Sequence, residues 1–103
     1  MSQFIPMTLG AAMAVGTAAT SVAPAPMTEY ESDHVPYLLT NIGSEIIYAQ
    51  IGGTAVIPVP GTNGATPIMP YDQIILMGPP NTNVSALAAA TGSTLIVQQG
   101  VMV

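Results

Sequence analysis

The stretch Tyr37-Leu-Leu-Thr-Asn-Ile-Gly-Ser-Glu-Ile-Ile-Tyr-Ala-Gln-Ile51 holds two β-rich runs, Tyr37 to Asn41 and Glu45 to Ile51, on either side of Ile42-Gly43-Ser44. Leu, Ile and Tyr at this density suit a pleated, half-buried surface. Gly43 can take a positive φ without steric cost. Two strands joined by a tight hairpin are therefore expected. In the second run Ile47, Ala49 and Ile51 share one face, and Ile46, Tyr48 and Gln50 the other. Both faces hold apolar groups, as in a strand that meets a core on one side and a partner on the other.

The same grammar continues in both directions. Downstream, Gly52-Gly53 turns the chain, and Ala55 to Val59 reads as an edge or irregular strand because Pro58 interrupts it. Pro60 to Pro67 is loop by composition. Gln73 to Met77 is expected to be a buried strand, Val84 to Ala90 a sheet strand, and Thr94 to Gln98 the last strand before a short tail. Gly78 to Asn83 and Thr91 to Ser93 are the turns between them. Upstream, Thr28 to His34 is a polar loop, Ala23 to Met27 a Pro-punctuated connection, Met13 to Val22 a strand and Met1 to Thr8 an irregular arm. Short strands at intervals of roughly 8–12 residues mark a sandwich or small barrel. The expected fold is all-β: a small antiparallel β-sandwich, Ig-like or jelly-roll-like, of about seven or eight strands. Residues 1–12 form an extended N-terminal arm, and 13–103 a single β-sandwich domain.

Composition narrows the function. The chain has 103 residues, no Lys or Arg, five Asp plus Glu, and a formal net charge of −5. Nucleic-acid affinity rests on cationic side chains that displace counterions from phosphate, so no nucleic-acid partner is expected. Anionic membrane surfaces are disfavoured for the same reason. A spanning helix needs about 20 mostly apolar residues, and Gly, Pro, Thr or Asn breaks every candidate stretch, so no membrane partner is expected either. Leu9 to Ala23 has the look of a secretory h-region, but the residues ahead of it lack the basic character of an n-region. Charged residues make up only 5% of the chain and hydrophobic ones 50%, against about 25% charged in ordinary soluble domains. A surface with so few charges fits a subunit buried among others.

Few residues offer chemistry. Glu29, Glu31, Asp33 and His34 are the candidates for a cation site, since oxygen-rich clusters attract Ca²⁺ and His with carboxylate suits a transition metal. They lack the Gly-punctuated spacing of a calcium loop, and a solvated acidic loop is the favoured reading. No metal and no cofactor are expected. A hydrolytic triad needs a nucleophile, base and orienting acid, and no motif joins the single His to a hydroxyl. With no Cys and no Lys, thiol and Schiff-base chemistry are absent, so the chain is not expected to be an enzyme. Scattered methionines suit packing and adaptable interfaces. The tyrosines suit interfaces and core edges. Phe4, Ile5, Met7, Tyr37, Tyr48 and Tyr71 are the interface candidates.

From Tyr37 onward the chain resembles a family of small virion structural proteins of tailed phages. The resemblance lies in Tyr37-Leu-Leu-Thr-Asn-Ile-Gly43, Ile47-Tyr-Ala-Gln-Ile-Gly52, Met69-Pro-Tyr-Asp-Gln-Ile-Ile-Leu76, Val84-Ser-Ala-Leu-Ala88 and Gly92-Ser-Thr-Leu-Ile-Val-Gln-Gln-Gly100, with Phe4-Ile-Pro6 and Met13-Ala-Val-Gly-Thr17 ahead of them. The total lack of Lys and Arg departs from ordinary members. The resemblance implies a β-sandwich subunit with no catalytic residues. Its expected role is capsid decoration, or cement, on the outer surface of the virion head. The major capsid protein and further copies of the chain, as a homotrimer, would be its partners. A neck, tail or fibre-base component of the virion and a secreted carbohydrate-binding or adhesion module are the alternatives.

Overall fold

The computed structural model describes residues 3–28, 33–56, 64–90 and 92–102. These contain nine β-strands and no helix. In chain order they are β1 (Phe4–Pro6), β2 (Ala11–Val15), β3 (Thr20–Val22), β4 (Val35–Asn41), β5 (Ile47–Ile51), β6 (Thr66–Ile68), β7 (Gln73–Gly78), β8 (Val84–Ala88) and β9 (Ser93–Met102). Two antiparallel sheets pack face to face. One runs β1-β9-β4-β7, with β2 on the same edge of β9 as β1; the other runs β3-β8-β5-β6.

This is a jelly roll. Strands β2 and β9, β3 and β8, β4 and β7, and β5 and β6 pair in turn. They form one long antiparallel ribbon whose tip is the β5–β6 connection. Rolling the ribbon adds the pairings of β4 with β9 and of β5 with β8, which close it into two sheets. The choice between Ig-like and jelly-roll-like order is settled by these partners.

The core follows from period-two alternation. Tyr37 and Leu39 of β4 point inward with Leu95 and Val97 of β9, Met13 and Val15 of β2, Ile47 and Ala49 of β5, Ile68 of β6 and Val84, Ala86 and Ala88 of β8. Small residues on β8 and β5 let the sheets approach, and long ones on β4 and β9 fill the space between.

Several expectations change. The run Tyr37 to Ile51 is not a hairpin, because β4 and β5 lie in opposite sheets. The Asn41 side chain shapes the crossing: Gly43 N–H donates to Asn41 Oδ1 (2.9 Å), and Asn41 Nδ2 donates to the carbonyls of Glu45 (2.7 Å) and Ile68 (3.0 Å). At Gly43 any Cβ would lie 2.5 Å from Ser93 Cα, so this glycine is demanded by a close approach. Met13 to Val22 is two strands, β2 and β3, in different sheets. Gln73 to Met77 is an edge strand with Gln73, Ile75 and Met77 exposed. Gln99 to Met102 belongs to β9. Ala55 and Val56 lie outside any strand, and Ile57 to Val59 fall outside the described residues.

The N-terminal segment lies along the domain. Phe4 to Pro6 pair with Met102 to Gly100, and β2 begins at Ala11, ahead of the expected domain start at 13. Between these pairings, residues 7–10 face only Gln98 and Gln99, so β1 and β2 form one bulged strand. Thr8 Oγ1 fills the bulge, accepting from Gln99 N–H (3.1 Å).

Candidate interaction surface

The two sheets treat their outer faces differently. On the β3-β8-β5-β6 sheet, Ser85 and Leu87 of β8 and Tyr48 of β5 point away from the main core, yet Ser85 and Leu87 are buried. Residues from the two described ends of the β5–β6 connection lie over them. Ala55 and Ala65 make a second cluster with Leu87 and Tyr48, and Ala55 N–H donates to Ser85 Oγ (2.9 Å).

No described residue covers the other outer face in this way. Across it run Gln73, Ile75 and Met77 of β7, Leu38 and Thr40 of β4, Thr94, Ile96 and Gln98 of β9, and Ala12 and Ala14 of β2. The rows are in register: Ile75, Leu38 and Gln98 lie side by side, as do Gln73, Thr40, Ile96 and Ala12. Phe4 and Pro6 bound the face at one end, and a shallow groove runs from them past Leu38 to Ile75. Gly100 has no side chain because the Phe4 ring would lie 2.7 Å from a Cβ there. None of these residues is charged. Asp33, Glu45 and Asp72, the described carboxylates, all lie outside the strands.

The interface candidates separate on this frame. Phe4 is half-buried beside the open face, Ile5 is paired with Val101, and Met7 projects from the edge bulge. Tyr71 is 76% exposed, in the turn before β7. Asp72 N–H donates to Met69 O (3.1 Å) across that turn, which puts Pro70 first and Tyr71 second of its central residues, with Tyr71 at φ 59°. That left-handed conformation is unusual for an aromatic residue. Tyr48 packs in the second cluster. Tyr37 is a core residue, with no exposed surface. Its hydroxyl donates to Pro79 O and accepts from Thr82 N–H (3.0 Å), so it pins the β7–β8 loop. Of the cation candidates, Asp33 and His34 are exposed, and Glu29 and Glu31 lie outside the described residues. Among the described residues no three His, Cys, Asp or Glu side chains come together as a metal site.

Buried polar groups form a framework that composition does not reveal. Gln99 is fully buried in β9. Its Nε2 donates to Ala25 O (2.9 Å) and Asn81 Oδ1 (2.9 Å), and its Oε1 accepts from Asn81 N–H (2.7 Å). Asn81 in turn bonds both the N–H (2.8 Å) and the carbonyl (3.0 Å) of Met27. One amide pair thus ties β9, the Pro-rich connection and the β7–β8 loop together. No buried side-chain nitrogen or oxygen among the described residues lacks a partner.

No family model, curated protein or solved structure matches the chain. The arrangement itself offers a sandwich with one uncharged sheet face that no described residue covers.

Proposed function

We propose that the chain is a structural subunit of a virion, a decoration or cement protein that lies on the outer surface of the head and binds the major capsid protein. One observation carries this reading: the outer face of the β2-β9-β4-β7 sheet is uncharged and no described residue is laid across it, while on the other sheet Ala55 and Ala65 lie over Leu87 and Tyr48. Ile75 and Met77 are exposed side by side on this face, and contiguous exposed apolar residues mark interaction sites. The resemblance of the strand and turn motifs to small phage structural proteins supplies the kind of partner. Jelly rolls serve in capsids and in lectins alike, so the fold by itself favours neither. A glycan site built on stacked tyrosines has less support, because Tyr71 is the only described tyrosine with an open ring.

Such a subunit stabilises a shell by adding contacts that expansion of the shell would break. This chain brings no Lys or Arg to a salt bridge, and the proposed face carries no carboxylate, so its contacts are apolar packing and hydrogen bonds. Binding to heads should therefore survive NaCl near 1 M, where charges are screened beyond about 3 Å. The test is quantitative mass spectrometry of purified particles with a reconstruction of their surface. The reading expects many copies spread over the head. Confinement to a ring at the neck, or absence from the particle, contradicts it.

A further inference from the structure

An open strand edge invites another strand, and proteins blunt such edges with short strands, prolines, bulges or charges. Three of the four sheet edges here carry such a device. Strand β3 has three residues; β6 has three, with Pro67 in the middle; the β1–β2 edge is broken by the bulge at residues 7–10. The fourth edge, β7, is six residues long, regular, and free of proline and charge.

The hydrogen-bond parity of β7 is fixed by its neighbour. Asn41 N–H donates to Asp72 O (2.9 Å). Continuing that alternation, Ile74 and Leu76 exchange hydrogen bonds with Leu39 and Tyr37 of β4, while Gln73, Ile75 and Met77 turn their backbone groups away from it. Two observations agree. Pro36, which has no N–H to give, stands opposite Met77. The Gln73 N–H is taken by its own neighbour, Asp72 Oδ1 (2.8 Å). The peptide groups of Ile75 and Met77 therefore face outward from the sheet.

We propose that this edge pairs antiparallel with β7 of a second copy, about a two-fold axis at Ile75. Among the described residues there is no second open, regular edge, so a head-to-tail ring would have to force a bulged, short or Pro-containing strand. An isologous contact uses the open edge alone. The sequence is self-complementary about Ile75: Ile75 meets its own copy, Ile74 meets Leu76, and Gln73 meets Met77. No like charges meet. The two Asp72 carboxylates lie at opposite ends of the paired strands, about 20 Å apart at roughly 3.4 Å per residue, well beyond the ~8 Å screening length at physiological salt. Each Asp72 releases the Gln73 N–H to the Met77 carbonyl of the partner copy. Pairing also joins two uncharged outer faces into one continuous surface. The inference holds whether or not that surface meets a shell, and any three-fold assembly would have to use other contacts.

The native chain has no Cys, so Ile75→Cys carries a single thiol. A hydrogen-bonded antiparallel pair puts its Cα atoms about 5.5 Å apart, inside the range of roughly 4.4–6.8 Å that a disulfide spans. Thr40→Cys, on the same face but in an inner strand, is the control. Ile75→Pro removes an outward N–H that β4 does not use, a position that an edge strand tolerates, so the β4 ladder keeps its hydrogen bonds. In sedimentation equilibrium the full chain should reach twice the monomer mass, with Ile75→Pro monomeric and its circular dichroism unchanged. Mild oxidation should convert Ile75→Cys, but not Thr40→Cys, into a covalent dimer. A wild-type chain that stays monomeric at every accessible concentration, or a species of three times the monomer mass, overturns the proposal. Failure of Ile75→Cys to cross-link also overturns it, even if Ile75→Pro does not fold. Loss of shell binding with the dimer intact would count against the proposed function alone.

Discussion

The outer faces of the two sheets begin from the same grammar and end differently. On β8 and β5 the outward residues Ser85, Leu87 and Tyr48 are covered by Ala55 and Ala65 from the chain's own connection. On β4, β9 and β7 the outward residues Leu38, Ile96, Ile75 and Met77 are no more polar, yet Ile75 and Met77 remain 42% and 56% exposed. An apolar face can be satisfied from within the chain or from outside it. One sheet takes the first course; on the other, no described residue does so, and we propose that a partner does.

The comparison can be broken by substitution. Leu87→Ala opens a cavity under the β5–β6 connection and should cost about 2–5 kcal/mol, read as a fall in denaturation midpoint. Ser85→Ala removes the acceptor for the Ala55 N–H and should cost about 1–3 kcal/mol, with faster proteolysis of the connection. Tyr71→Gly should stabilise the isolated chain by about 1 kcal/mol or less, because glycine holds the left-handed turn without steric cost. Ile75→Thr, on the open face, should change the stability of the monomer by no more than about 0.5 kcal/mol. If Ile75→Thr costs as much as Leu87→Ala, the two faces are not energetically distinct.

Much of the fold was legible because the apolar strands and their turns are short and evenly spaced. Strand β8 stands within Val84 to Ala90, and β9 covers Thr94 to Gln98 but runs on to Met102. What local sequence could not supply is which sheet each strand joins. Asn-Ile-Gly-Ser suits a hairpin as well as it suits a crossing between sheets. The difference lies in distant contacts, from the Asn41 side chain to Ile68 and from Gly43 to Ser93. Gln73 to Met77 looks like a buried strand because both of its faces are apolar. Only the absence of a neighbour beyond β7 among the described residues makes it an edge. Tyr37 looked suited to an interface, but its hydroxyl is satisfied inside by the β7–β8 loop. The open face was hidden for a similar reason: alternation pairs Leu38 with Thr40 and Ile96 with Gln98 without telling which side has a cover.

The most direct test of the open face is a binding measurement with two added charges. Gln98→Glu changes an amide to a carboxylate at the centre of that face with almost no change in shape. Ser21→Asp adds the same charge to exposed β3 of the other sheet. Co-sedimentation of each variant with heads lacking the protein should show Gln98→Glu weakened at least about tenfold, or roughly 1.4 kcal/mol, with its melting temperature close to wild type. Ser21→Asp should bind as wild type does. Equal binding by Gln98→Glu and wild type would contradict the assignment of the β2-β9-β4-β7 face as the docking surface.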